Sequence, residues 1–156
     1  MQGITIIALG KLNADYFKKA AAEYQKRLSA FCKLKIIELP EEKMGDEMVD
    51  KALEKEAKAI LNALPKQCTA VAMCIEGAQM TSEQLAQLFC EKANSGSGDI
   101  AFIIGSSHGL APIVKQAAQL KMSMSKMTFP HQLARVMLLE QVYRAFTINA
   151  GVKYHK

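Results

Sequence analysis

The chain is poor in the residues that many folds use as staples or cofactor handles. Its 156 residues include only four cysteines, Cys32, Cys68, Cys74 and Cys90, scattered with no C-x-x-C pair and no histidine at ligand spacing. That pattern argues against a zinc ribbon and a disulfide framework, and reads as reduced core thiols in a cytoplasmic protein with no metal site. Ten aromatics, four Tyr and six Phe, leave little for the sandwiching loops that a flavin needs. No apolar run approaches the ~20 residues that span a bilayer, so no membrane partner is expected. The opening "MQGITIIALGKLNADYF" has neither a basic leader region nor an A-x-A-like cleavage site, and reads as a buried first strand. There is no G-x-G-x-x-G and no Gly-Lys-Ser/Thr of a P-loop, which removes support for nicotinamide cofactors and nucleoside triphosphates. A receiver domain wants acidic residues clustered after the first strand and an Asp after the third, and neither is here.

Carboxylates are also unevenly missing. Residues 99–156 hold seven Lys/Arg against two Asp/Glu, a local charge of +5. Residues 1–40 carry +4, residues 41–58 carry −3 and residues 59–98 carry −1. The acidic block sits in one middle helix and both ends are basic, a footprint suited to a polyanion such as RNA.

What is present is a regular switching between strand and helix periods. Strands are expected at Ile4–Gly10, Lys33–Leu39, Thr69–Ile75, Ile100–Ile104 and, from the alternation of "KMSMSKM", Lys121–Met127. The first helix is expected over "ADYFKKAAAEYQKRLSAF", with Tyr16, Ala20, Tyr24 and Leu28 on one face. The second runs through "GDEMVDKALEKEAKAILNAL", with Asp46 as N-cap and Met48, Leu53, Ala57, Ile60, Leu61 and Leu64 facing the core. A third starts at Thr81 or Ser82, a short one follows Pro112, and the last runs from about His131 to Ile148. Five strands alternating with helices predict a single α/β domain over 1–156, a parallel sheet with helices on both faces.

In such sheets ligands bind beyond the C-terminal strand ends. After the third strand comes Glu76-Gly77; after the fourth comes "GSSHGL", Gly105 to Leu110, whose glycines permit close backbone approach. The last helix is apolar over much more than one stripe, through Leu133, Val136, Met137, Leu138, Leu139, Val142, Tyr143, Ala145 and Phe146. It must be buried on two sides, and the sheet and a symmetric partner subunit would supply them. Glu140 and Arg144 stand at i, i+4 and are placed to pair, whereas Arg135 and Arg144 point to different faces. The tail "YHK" adds an aromatic, an imidazole and cations, suited to stacking on a base and holding phosphate.

The block "MSKMTFPHQLARVMLLEQVYRAF" with the final "YHK" closely resembles the RlmH family, the rRNA pseudouridine methyltransferases of the SPOUT (trefoil-knot) class. "ITIIALGKL", "LEKEAKAIL" and the "IIG-x-x-x-GL" loop extend the resemblance over the whole chain. It implies a C-terminal trefoil knot, a homodimer, and S-adenosyl-L-methionine held by Met73, Gly105, Met124, Ser125, Lys126, Met127, Thr128 and Phe129. It implies as substrate N3 of pseudouridine 1915 in 23S rRNA of the assembled ribosome. Losing the N3 proton calls for a base, for which His155 is the first candidate. Tyr154 would orient the target base, Arg144 would stabilise charge on the uracil carbonyls, and Arg135 and Lys153 would contact substrate. His131 at a helix N-terminus reads as structural, because the dipole disfavours a charged imidazole there.

Two departures stand out. The family usually has two successive glycines where this chain has Gly105-Ser106, which places a side chain where backbone nears cofactor. The family tail usually carries Arg where Ala150 stands, with Lys153 as partial replacement, so weaker ribosome affinity is expected. A tRNA methyltransferase of the same class, or a non-enzymatic ribosome-binding module, are the alternatives.

Overall fold

A computed structural model describes residues 1–43, 45, 48–96 and 98–156. Its elements are β1 (Gly3–Leu9), α1 (Asp15–Leu28), β2 (Lys33–Leu39), α2 (Val49–Ala63), β3 (Thr69–Gln79), α3 (Ser82–Asn94), β4 (Ile100–Ile104), α4 (Pro112–Ala117), β5 (Leu120–Ser123) and α5 (His131–Asn149). The strands form one parallel sheet in the order β2-β1-β4-β3-β5. β4 is buried throughout and β1 nearly so, as their continuous apolar sequences require of strands covered on both faces.

The helices sort by the direction of each crossover. β1 to β2 and β3 to β4 step one way across the sheet; β2 to β3 and β4 to β5 step the other way. A constant crossover hand then requires the helix to change face whenever the direction changes. It does: α1, α3 and α5 share a core with Ile4, Ile6, Phe102 and Met122, whereas α2 and α4 share another with Ile7, Ala72 and Ile103.

α5 lies against both α1 and α3. The sheet beneath and a helix on each side cover much of its apolar surface, and Leu133, Val136 and Met137 stay half-buried. Tyr143 and Phe146 reach Phe31 and Phe89, with ring centroids 5.2–6.3 Å apart. α3 is started by a reciprocal capping box, in which Thr81 Oγ1 accepts from the Gln84 N–H and Gln84 Oε1 accepts from the Thr81 N–H.

Several sequence expectations are corrected. The core stripe of α1 runs through Ala21, Tyr24 and Leu28; Phe17 is half-buried, and Tyr16 is 69% exposed, its ring set edge-on against Phe17. Met48 is the exposed residue before α2 rather than part of its core face. The proposed cap Asp46 lies outside the described residues. β3 runs past Glu76-Gly77 because Ala78 and Gln79 re-pair with Met122 and Ser123 after an irregularity at Cys74–Gly77. β5 stops at Ser123, since the Ser123 hydroxyl donates to the Ser125 carbonyl and the Ser125 hydroxyl accepts from the Met127 N–H, turning the chain away from the sheet.

Candidate active site

The ends of β4 and β5 and the irregularity within β3 meet on one side of the sheet. Met73 of β3 pairs in register with Ile104 of β4 and with Met122 of β5. Adjacent parallel strands therefore bring Met73, Gly105 and the 124–129 segment near one another. Gly77 is fixed by the same crossing: a Cβ there would fall 2.6 Å from the backbone nitrogen and carbonyl carbon of Met122. Gly105 is fixed by its own loop, since its Cβ would lie 2.5 Å from the Gly109 carbonyl oxygen. The Gly109 N–H closes the turn onto the Ser106 carbonyl at 2.9 Å, with Gly109 at φ 80°. Ser106 does not project from this loop towards a ligand; its hydroxyl is buried and donates to Glu56 at 3.0 Å.

Beside Met124 opens a cavity of about 300 Å³ walled by Met80, Leu85, Met122, Met124 and Met137, with Thr81, Ser82, Ser123 and Gln141 as its polar residues. Ser82 Oγ and Gln141 Oε1 are 2.7 Å apart and tie α3 to α5. No charged side chain lines this space, so a cationic ligand meets no like charge there. Lys126, Met127 and Thr128 are exposed on the adjoining loop, while Ser125 and Phe129 are half-buried. Met80, Met137, Ser82 and Gln141 escape a reading by motif, because only the packing of α3 on α5 brings them together.

The tail folds back on α3 and α5. Tyr154 donates its hydroxyl to Glu140 Oε1 at 3.1 Å, and its ring lies against Tyr143 at 4.9 Å and under the Arg144 guanidinium at 4.7 Å. Burial first, and the Glu140 carboxylate second, push the Tyr154 phenol up to about 12. It stays protonated at neutral pH and acts as a donor, not a base. Arg144 is held by Glu140 through Nε at 3.0 Å and Nη2 at 2.6 Å, the i, i+4 pair expected from sequence. Its guanidinium is kept charged above its ordinary range, chiefly by that hydrogen bond.

His155 bridges two partners. Its Nδ1 lies 3.2 Å from Arg144 Nη1 and its Nε2 lies 2.6 Å from Glu83 Oε1. Arg only donates, so Nδ1 is the acceptor and the proton sits on Nε2, facing the carboxylate. Glu83 is held below the usual carboxylate range by its own backbone N–H and then by His155. Lys153 is exposed beside this cluster in sequence.

The other end of α5 is a separate construction. Arg135 is enclosed; its Nη1 is 2.5 Å from Glu38 Oε2 and its Nη2 donates to the Gly10 carbonyl at 3.0 Å. His131 Nε2 stands 4.0 Å from Glu41, and Gln132 accepts from the Asn13 N–H. These contacts pin the start of α5 to the ends of β1 and β2, nine residues, or about 14 Å of helix rise, from Arg144. Tyr154, His155 and Arg144 are thus brought together, and Arg135 is not among them. Among the described residues no cluster of His, Cys, Asp and Glu is arranged to hold a metal ion, and no helix is long and apolar enough to cross a membrane.

Comparison with known proteins agrees with this arrangement. A solved structure, "The structure of a probable methylase family protein from Haemophilus influenzae Rd KW20", superposes with a TM-score of 0.56 at 14% identity, over 98% of this chain and 70% of that one. At that identity the likeness concerns the fold. The family model described as "Predicted SPOUT methyltransferase" matches residues 1–155. That match over nearly every residue, on a five-stranded parallel sheet, places the chain in the SPOUT methyltransferase family.

Proposed function

We propose that the protein methylates N3 of pseudouridine 1915 in 23S rRNA of the assembled ribosome, using S-adenosyl-L-methionine. The observation that carries the cofactor half is the convergence of Met73, Gly105 and the 124–129 loop on neighbouring strands. The knot follows from membership of the family. The residues present fit the cofactor: thioether walls, hydroxyls and an uncharged cavity suit a sulfonium, and the Ser106 side chain points away into its bond with Glu56. When bound, S-adenosylmethionine supplies a methyl group activated on sulfur, for in-line transfer to a positioned nucleophile.

The remaining work falls to this chain's own side chains. Tyr154, docked and protonated, offers its ring to the target base. Lys153 is exposed for backbone phosphate. His155 has one basic atom, Nδ1, now engaged by Arg144. When Arg144 turns to a uracil carbonyl, Nδ1 is released to take the N3 proton, and Glu83 faces the imidazolium that results. Arg135 serves by holding the start of α5. The reading includes a homodimer, supported by the family resemblance, in which one subunit's tail faces the partner's cofactor.

Calorimetry with S-adenosylmethionine tests the cofactor; a correctly folded protein that gives no heat of binding defeats the reading. Labelled cofactor offered to whole ribosomes, separated subunits and tRNA then identifies the substrate, and label entering tRNA alone would transfer the reading to a tRNA enzyme. His155→Ala should lower turnover by ~100-fold or more; full turnover removes His155 as the base.

A further inference from the structure

We infer that Glu56 is a positioning residue for the glycine loop after β4, acting through Ser106. Glu56 is 4% exposed, in the stripe of α2 that also buries Ala52, Ala57 and Ile60. Packing alone asks for an apolar residue there; a buried carboxylate persists only where its oxygens are partnered. Both are, and both partners lie outside the helix. Oε1 accepts from the Ser106 hydroxyl at 3.0 Å, and Oε2 accepts from the Glu42 N–H at 3.0 Å. The Glu42 carboxylate is itself 3.2 Å from Lys55 Nζ, so the segment after β2 is clasped to α2 at two points.

For the glycine loop this is the one side-chain hydrogen bond, among the described residues, that joins positions 105–109 to another element. Ser107, His108 and Gly109 are exposed and the turn is closed only upon itself. The loop's backbone therefore takes its place relative to β3 and β5 from its strand, from the buried Leu110 and Ala111 that follow it, and, within the turn, from the Ser106–Glu56 bond. The serine that interrupts the pair of glycines is an anchor pointing inward. It replaces the conformational freedom of a second glycine with a fixed turn, and so reduces the ordering left to be done when a ligand arrives.

This inference rests on the reading that the loop contacts S-adenosylmethionine. The test compares the parent with Ser106→Ala, Glu56→Ala, Glu56→Gln and the double alanine variant. Affinity for S-adenosylmethionine is measured by calorimetry well below each melting temperature. Amide exchange of residues 107–109 is followed without ligand. Ser106→Ala and Glu56→Ala should each weaken binding about tenfold, equivalent to about 1.4 kcal/mol. The double variant should bind no worse than Glu56→Ala, because one bond is being removed twice. Glu56→Gln should bind within about twofold of the parent, since its amide oxygen accepts from Glu42 and its amide nitrogen donates to Ser106. Exchange at 107–109 should speed up in Ser106→Ala alone, a variant mild enough to fold if Glu56→Ala does not. A parent that binds while Ser106→Ala binds and exchanges like it overturns the inference and leaves the cofactor reading standing. A parent that does not bind overturns the cofactor reading, and this inference with it.

Discussion

Arg135 and Glu38 form an ion pair whose two halves differ in access to water: the arginine side chain is 3% exposed and the glutamate 37%. That difference predicts that removing the more exposed partner is the more damaging change. Glu38→Ala leaves an enclosed guanidinium holding only the Gly10 carbonyl, with an Nε that already has no partner. An uncompensated buried charge costs about 3–5 kcal/mol. Arg135→Met fills the same space with a flexible apolar chain, removes the orphaned Nε and lets Glu38 hydrate. What is lost is the pair of charge-assisted bonds, net about 1–2 kcal/mol after rehydration. For a domain of this size each kcal/mol shifts the melting temperature by about 2–4 °C, giving drops of ~10 °C and ~4 °C. Urea unfolding with an unchanged m-value is the assay. The double variant should be more stable than Glu38→Ala alone, because removing the stranded cation relieves the first mutation. Additive losses, or Arg135→Met as damaging as Glu38→Ala, would refute the reasoning. If Arg135→Met keeps its stability yet loses RNA affinity, Arg135 belongs to the substrate surface instead.

Other perturbations probe different contacts. Tyr154 has a folded pKa near 12, above the ~10 of a free phenol, so its contribution to tail docking is complete below pH ~10 and is lost as the pH rises through 12. An ultraviolet titration should show one tyrosine ionising last, and Glu140→Ala should bring it back towards the others. Gly77→Ala drives a methyl group into the Met122 backbone, which has no rotamer to yield. A loss of about 3 kcal/mol or more is expected in urea unfolding, against less than ~0.5 for Gly45→Ala, where nothing among the described residues lies within 4 Å. Thr81→Ala removes the side-chain half of the α3 capping box and should cost about 1 kcal/mol by the same measurement.

Sequence punctuation locates elements well where the signal is local. β2 and β4 match their expected ends, α4 begins at Pro112, and α5 begins at His131 after Pro130. The misplacements have long-range causes. The second half of β3 exists because β5 pairs with it some forty residues later in the chain. Tyr16 and Phe17 are neighbours of similar apolar character, yet Tyr16 is exposed and Phe17 half-buried, a difference that helical spacing alone does not fix. The site residues named from the family motif fall at the strand ends and in the tail, but the carboxylates that hold them do not announce themselves. Glu83 reaches His155 across 72 residues, Glu56 reaches Ser106 across 50 and Glu38 reaches Arg135 across 97. In sequence each is an ordinary surface glutamate. The width of α5 was an ambiguous signal for a related reason, since apolar residues on all sides do not say whether the cover comes from the same chain or another.

The two outer strands, β2 and β5, decide how this sheet behaves towards other sheets. An open parallel sheet offers a row of unpaired amides at each edge, a template for unwanted strand addition. β2 is seven residues long, yet Lys33, Lys35 and Glu38 are exposed along it, so an incoming strand would meet lysines at alternate positions. β5 uses the opposite device: it is only four residues long, and the serine turns bend its continuation away before a foreign strand could gain register. Lengthening β5 by replacing Ser123 and Ser125 with β-branched apolar residues would therefore trade the loop proposed to hold the cofactor for an aggregation edge.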